Sequence, residues 1–519
     1  MMRPDLDAAG VLAALPRRIH EPILAQAALA PALLDDAGAW SFGDLAEAIR
    51  AGAAWLQAAG VRGGDRVLLI TENCREAAAL LFACSALDAW AVLVNARLSA
   101  TEIEVLDKRC SPRLICAVLG SVQGRRHAAH FGLTASEIAG LGRIAASGAD
   151  TSSEAEPVHP AAADQVAALI YTSGSSGEPK GVMLTHRNLL YMAAISGAIR
   201  ALGPADRLLG VLPISHSVGL SVVLLGALMR GASVRLLARF TPPAFCRALT
   251  EESVSVVLGA PSMLSLLLEY AAQQNQARVD APHLRILSVS GAPLDLALKR
   301  EAESFFGLPL HHGYGITECG PTIAQIRPGH ERDDCSVGPL LPGVLARLVG
   351  EDGAPARADT AGELFVSSPS VMRGYYRDPA RTRTVLDAQG WFRTGDLARL
   401  DGTDLVITGR ANDLIIRFGF NVYPGEIEAV LAGHDAVLQA AVAGRPSAEG
   451  EEILAFVVPR AGHTPTIAEL AQHAAQHLAS YKRPSRFFVL PALPLTPTGK
   501  IDKRSLLNAA ETTTLTQAA

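Results

Sequence analysis

"LIYTSGSSGEPKGVML", residues 169–184, sets an apolar strand directly against a loop of Ser, Thr and Gly that closes on a lysine. The run "AALIY" (167–171) feeds straight into the loop and "KGVMLTHRNLL" (180–190) leads out toward a capped helix, so both ends are pinned. A free surface linker, where most Ser/Gly clusters belong, is therefore disfavoured. Gly174 and Gly177 let backbone N–H groups converge on an anion, Thr172, Ser173, Ser175 and Ser176 add hydroxyl donors, and Lys180 adds a positive charge. That is chemistry for holding phosphate. It is not a Walker loop, because Gly181 follows the lysine where Ser or Thr would stand. The expectation is a strand–loop–helix transition within layered α/β architecture.

Outward from the loop the same alternation recurs. "DRVLLI" (65–70) and "AVLVN" (91–95) read as short strands, as do 207–213, 233–238, 254–259, 284–289 and 309–312, with helical runs between them. Such alternation implies parallel strands joined by right-handed crossovers, with ligands beyond their carboxyl ends. From about 337 to 408 the pattern turns to short strands and turns, a β-rich subdomain. Beyond it lies a smaller α+β unit, with helices at 424–433 and 466–480 and strands at 437–444 and 452–459. The expected domains are 1–409 and a mobile 410–519. Residues 140–163, rich in Ala, Ser, Glu and Pro, read as a flexible loop, and the tail as frayed.

Bulk properties bound the rest. A chain of 519 residues exceeds one hydrophobic core, and 49% hydrophobic with 19% charged residues is ordinary for a soluble globular protein. A net charge of -5 carries no footprint for nucleic acid or an anionic membrane. Seven scattered cysteines suggest neither a disulfide framework nor a zinc site, and fit a reduced, cytoplasmic setting. "SVGLSVVLLGALM" (217–229) is too short for a membrane span and reads as a buried helix. The protein is expected to be a monomer or homodimer.

"YTSGSSGEPKGV" (171–182) resembles the phosphate loop of the adenylate-forming superfamily, which includes acyl-CoA synthetases, luciferases and peptide-synthetase adenylation domains. The resemblance implies further motifs in fixed order, and the chain carries them. "YGITE" (314–318) is similar to the segment in which Tyr314 would stack on adenine, Thr317 contact the α-phosphate, and Glu318 help hold Mg²⁺. "SGAPL" (290–294) resembles the adenine turn, with Gly291, Ala292 and Pro293. "FRTGDL" (392–397) implies Asp396 on the ribose, and "GRANDLIIRFGFNVYPGEIE" (409–428) a hinge at 410–413 with Arg410 toward the ribose or phosphate. Asn412 stands at the pivot, where the family usually has Asp or Lys. "PLTPTGKIDK" (494–503) resembles the segment carrying the adenylation lysine, here Lys500.

What the resemblance implies is a ligase that joins a carboxylic acid to ATP as an acyl-adenylate, then passes the acyl group to coenzyme A. The difficulty is charge, since a carboxylate must approach a polyanion, and the cations and dipoles of the site answer it. "NARLSATEI" (95–103) and "SYKRPSRFFVL" (480–490) resemble CoA-contacting segments, which implies Arg97 and Arg483 on CoA. "LPISHSVGL" (212–220) resembles the acyl gate, filled by His216. No Asp stands between 212 and 230 to meet a substrate ammonium, so amino acids are disfavoured. The expected pocket, drawn from His216, Leu258, Gly259, Ala260, Gly291, His312, Gly313 and Gly315 with His311 nearby, is apolar and small-sided. It suits an aromatic or aliphatic acid. The competing readings are an acyl-AMP ligase that loads a carrier protein, and a silent protein that only binds acyl-adenylates or nucleotides.

Overall fold

The computed structural model describes residues 6–173, 178–350, 352–357, 360–413, 415–417, 420–447, 450–495 and 501–511. Two eight-stranded sheets form the large N-terminal part. One runs, in spatial order, Ala324–Gln325, Leu310–Tyr314, Ile286–Val289, Val256–Gly259, Arg207–Gly210, Ser233–Leu236, Pro31–Asp35 and Gly38–Ser41. Its six inner strands are parallel, and the two edge strands pair antiparallel. The other runs Gly374–Tyr375, Pro179–Thr185, Val166–Ser173, Trp90–Asn95, Arg66–Thr71, Leu114–Val118, Gly142–Ala146 and Thr134–Ile138. Inner parallel strands are short and apolar; Arg66–Thr71 is buried throughout, as a parallel strand covered by helices on both faces must be.

Between and around the sheets pack Phe42–Ala58, Arg75–Ala86 and His186–Ile199, whose apolar faces join one large core cluster. Residues Val218–Leu225 are buried as expected, but wound as a π-helix. A second cluster fills the far side of the first sheet under the helices Pro261–Gln273 and Leu296–Phe306.

Residues Leu345–Val349, Gly362–Ser367, Phe392–Asp401 and Asp404–Arg410 make a four-stranded antiparallel sheet, the β-rich subdomain. The C-terminal part has five strands, with Gly450–Pro459 flanked by Val437–Ser447, Ile415–Arg417 and Arg486–Val489. Its helices Pro424–Ala432 and Ile467–His477 pack on that sheet around a separate core. The fold is thus α/β, with a large N-terminal part and a small α+β C-terminal one.

Two sequence expectations change. The run after the Ser/Gly loop is a strand: Val166–Ser173 and Pro179–Thr185 form an antiparallel hairpin in which Thr172 faces Lys180. The helix His186–Ile199 starts only after it, capped by Thr185 and Asn188. The loop therefore joins two paired strands, and the helix His186–Ile199 does not begin at it. Segment 140–163, read as flexible, is held in place. Gly142–Ala146 is a strand, Arg113 donates to the carbonyls of Asp150 and Ser153, and Glu156 N–H donates to Gly64 O at 3.0 Å.

Candidate active site

Because the strands Arg207–Gly210, Val256–Gly259, Ile286–Val289 and Leu310–Tyr314 are parallel, their carboxyl ends open on one side. His216, Ala260, Gly291 and Tyr314 follow those ends and are gathered by topology alone. Gly291 has φ +87° with open space where a Cβ would lie, so a left-handed turn and free access explain the glycine. At Gly315 a Cβ would stand 1.8 Å from the Pro321 carbonyl oxygen, so the chain doubles back there on a glycine.

Tyr314 and Asp396 meet directly, the phenol donating to Asp396 Oδ2. Asp396 is 3% exposed, and Arg410 lies opposite it across the hairpin with Nε 3.0 Å from Oδ1. Burial and then the Asp396 charge push the Tyr314 hydroxyl well above its ordinary pKa, so it stays a donor. The ring, the carboxylate and the guanidinium thus form one chain from the strand end of the large sheet to the β-rich subdomain.

One turn further, Thr317 and Glu318 lie in the short helix Thr317–Cys319. Thr317 Oγ1 is 3.1 Å from Ser217 Oγ in buried surroundings, which ties it to the segment carrying His216. Glu318 Oε1 accepts the Tyr375 hydroxyl at 2.9 Å, and Lys180 Nζ sits 5.4 Å above the centre of the Tyr375 ring. Cys319 next door is buried, and burial drives its thiol far up in pKa, so it is no nucleophile. Of the loop residues, Thr172 and Lys180 are brought to this neighbourhood by the hairpin. Ser173 ends its first strand, while Gly174, Ser175, Ser176 and Gly177 lie outside the described residues, as does Lys500.

His216 is partly exposed; its Nδ1 accepts from Val218 N–H at 3.3 Å, which leaves the proton of a neutral ring on Nε2. His312 is buried and its Nδ1 donates to Cys335 O at 3.1 Å. Burial, opposed by that carbonyl, lowers its pKa and keeps the ring neutral. The predicted pocket does not come together whole. Register pairs Leu258 with Ser288 and His311, and Gly259 with Val289 and His312. Leu258 and His312 therefore project from opposite faces, because successive strand residues alternate. Leu258 packs into the core between the sheets, while Gly259 leaves space beside Met263 on the His312 side, where a Cβ would meet only its sulfur at 3.8 Å. Gly313 projects with His311 toward Gln325, and His311 Nδ1 donates to Leu287 O.

Past the end of the strand Ser233–Leu236, a cavity of about 470 Å³ is lined by Arg97, Gln123, Arg239, Phe240 and Thr241. Glu72, only 7% exposed, faces both guanidiniums, at 3.9 Å from Arg97 and 3.2 Å from Arg239. Two cations share one anion there, so the mouth is left positive. Burial and the neighbouring Arg239 lower the Arg97 pKa against the pull of Glu72. Arg483 is otherwise engaged: its Nε and Nη2 donate to Leu478 O and Ala475 O, each at 3.0 Å, closing the helix Ile467–His477. Asn412 lies in the short turn Ala411–Asp413 between the two parts of the chain.

Sequence reasoning missed Tyr375, Ser217, Glu72, Arg239 and Asn73. Asn73 Nδ2 donates to Gly210 O and Leu212 O at 2.9 and 3.0 Å, and its Oδ1 accepts from Ile214 N–H at 2.8 Å. It fastens the end of a strand in one sheet to the approach to His216 in the other. The partners are 137 to 141 residues apart, so no local signal could have found it.

The hairpin thus brings Lys180 to a strand end that carries an aromatic ring, a threonine and a glutamate. The family model of AMP-binding enzymes matches residues 23–376, that of the AMP-binding enzyme C-terminal domain matches 426–500, and the chain belongs to this family. It is an AMP-forming acid–thiol ligase. A sulfoacetate–CoA ligase of Cupriavidus necator is 37% identical over 69% of this chain and 70% of its own length. A feruloyl-CoA synthase of an Amycolatopsis species is 35% identical over 90% of this chain and 93% of its own. The solved structure of ATP-bound MatB from Rhodopseudomonas palustris superposes with a TM-score of 0.84 at 28% identity, covering 95% of this chain and 99% of that one. Among the described residues no helix is long and apolar enough to cross a membrane.

Proposed function

We propose that this acid–CoA ligase works through an acyl-adenylate formed from an apolar aromatic or aliphatic carboxylic acid. The observation that carries the reading is the Tyr314–Asp396–Arg410 chain standing one turn from Thr317 and Glu318. Tyr314 offers a face to adenine, and Asp396, already oriented by two donors, has lone pairs left for ribose hydroxyls. Thr317 is a donor for the α-phosphate, and Lys180 with the residues around 172–177 serves the β- and γ-phosphates. The acid carboxylate then attacks the α-phosphorus, the bond to the bridging oxygen breaks, and pyrophosphate leaves. Lys500 would neutralise the approach of the two anions, and His216 would border the acid's carboxylate. Mg²⁺, when bound, supplies neutralisation of phosphate charge. Glu318 fits that role, because the Tyr375 hydroxyl donates to Oε1 and Oε2 would be a hard oxygen ligand for such a cation.

The second half-reaction needs a thiol. The cavity between Arg97 and Arg239 suits the anionic nucleotide end of CoA, with Phe240 as an apolar face for its base. Arg483 would reach CoA only with the N–H groups that the helix end does not hold. The C-terminal domain, 410–519, would turn at 410–413 between the two steps, with Asn412 tolerating the change in backbone angles.

The names of the relatives span a sulfonated and an aromatic acid, so the acid is read from the pocket. None of Gly259, Ala260 or Gly291 carries a charge, and His312 is kept neutral by burial. A second fixed charge on the acid would find no partner there. Pyrophosphate release measured across a panel of carboxylic acids, followed by product analysis with CoA or a phosphopantetheinylated carrier protein, tests the reading. Release that depends on an apolar acid, with acyl-CoA as product, supports it; acid-independent release, or acylation of the carrier alone, sinks it.

A further inference from the structure

The two charged groups at the phosphate end of the site, Lys180 and Glu318, come from different sheets, and one side chain touches both. Tyr375 is 4% exposed, donates its hydroxyl to Glu318 Oε1 at 2.9 Å, and presents its ring to Lys180 Nζ at 5.4 Å from the centre. The backbone around it is held in the same two directions. Met372 N–H donates to Glu318 O at 2.8 Å and Tyr376 N–H to Gly181 O at 2.8 Å, while Tyr375 pairs with Val182 on the strand that bears Lys180. Its own N–H donates to Thr382 Oγ1 at 2.9 Å, so the residue has little freedom to move.

We propose that Tyr375 is the positioning residue of the phosphate end, a strut that aims the Glu318 carboxylate at the metal and holds the Lys180 ammonium ready for pyrophosphate while keeping the two apart. A lysine and a glutamate free to meet would pair, and each would lose the charge it brings to ATP. The phenol prevents this with two different chemistries. Its O–H satisfies one carboxylate oxygen and fixes the direction of the other. Its ring face attracts the ammonium without neutralising it. Donation to a carboxylate also enriches the ring in electron density, so the two contacts strengthen each other. Lys180 and Glu318 form no ion pair with one another in the described residues.

The inference rests on the proposed roles of Glu318 at the metal and Lys180 at phosphate, and two substitutions separate its halves. Tyr375→Phe keeps the ring and removes the hydroxyl; Tyr375→Leu removes both. ATP binding is measured by calorimetry without any acid, first free of Mg²⁺ and then along an Mg²⁺ titration, with melting temperatures recorded to verify folding. In Tyr375→Phe the Mg²⁺ concentration for half-maximal strengthening should rise about tenfold, with Mg²⁺-free binding within about twofold of the parent. Tyr375→Leu should lose about three- to tenfold in Mg²⁺-free binding as well. An Mg²⁺ titration of Tyr375→Phe that overlays the parent overturns the proposal, as does Mg²⁺-free loss equal in both variants. If parent binding itself ignores Mg²⁺, the reading of Glu318 fails first and the proposal falls with it.

Discussion

Asp396 shows how much a single side chain carries. It is buried, takes the Tyr314 phenol on one oxygen and the Arg410 guanidinium on the other, and is the residue proposed to meet the ribose hydroxyls. Asp396→Asn preserves the shape but removes the charge and replaces an acceptor with a donor facing Arg410. The expected result is a fall of about ten- to hundredfold in kcat/KM for ATP, measured by pyrophosphate release, with KM carrying most of it. Parent-like kinetics would remove Asp396 from the nucleotide site. Tyr314, Thr317, Glu318 and Asp396 were marked in the sequence by recognisable runs, and the structure brings Tyr314 onto Asp396 with Thr317 and Glu318 one turn on. Their supports were not. Tyr375 and Ser217 lie 57 and 100 residues from the groups they touch, and a hydroxyl in an apolar stretch carries no mark of its distant partner. Half of the pocket error was avoidable: Leu258 and Gly259 are neighbours on a strand, so they could not both line one wall.

Among elements, the hairpin is the instructive case. "GVMLT" is a short apolar run that suits a buried strand as well as a lead into a helix, and only length and pairing decide between them. It pairs on both sides, with Val166–Ser173 and with Gly374–Tyr375. The helix signal that follows was real but displaced by one strand. Thr185 caps it, accepting from Asn188 N–H while Asn188 Oδ1 accepts from Thr185 N–H. Asn188 Nδ2 also donates to Pro369 O and Val371 O at 2.8 and 2.9 Å. The cap thereby anchors the segment that leads to Tyr375. Asn188→Ala should cost about 2 kcal/mol of stability, since it removes half a capping box and leaves two carbonyls without donors. Denaturant unfolding checks this, and a change below about 0.5 kcal/mol would show the cap to be redundant.

At the scale of the molecule, the parallel sheets and the order of domains were legible, because alternating strands and helices admit few topologies. The edges were not: the hairpins Pro31–Asp35 with Gly38–Ser41 and Thr134–Ile138 with Gly142–Ala146 are too short and half-exposed for a periodic signal. A consequence of the proposed two-step chemistry belongs at this scale. Lys500→Ala should remove most adenylate formation, followed by pyrophosphate release, while thioester formation from a supplied acyl-adenylate continues; equal loss of both steps would refute the role. Stability should also depend on pH in a defined way. Burial pushes His186 down to about 3, and lowers His20, His311 and His312 for the same leading reason. Unfolded histidines take up protons near pH 6.5 whereas these resist, so the unfolded state binds more protons and stability falls as pH drops below that value. Melting temperature should decline between about pH 6.5 and 4.5, and His186→Gln should make the slope shallower. An unchanged slope would mean that His186 is solvated in the folded state.

Asn73 has a mechanical consequence. Its amide bonds three backbone groups across the seam between the two sheets, on the side where the site opens. Such a rivet resists shear. The wall that carries His216 and the sheet that carries the hairpin with Lys180 should therefore behave as one stiff frame during turnover. On the proposed two-step chemistry, any large excursion would then fall to the part of the chain beyond Arg410.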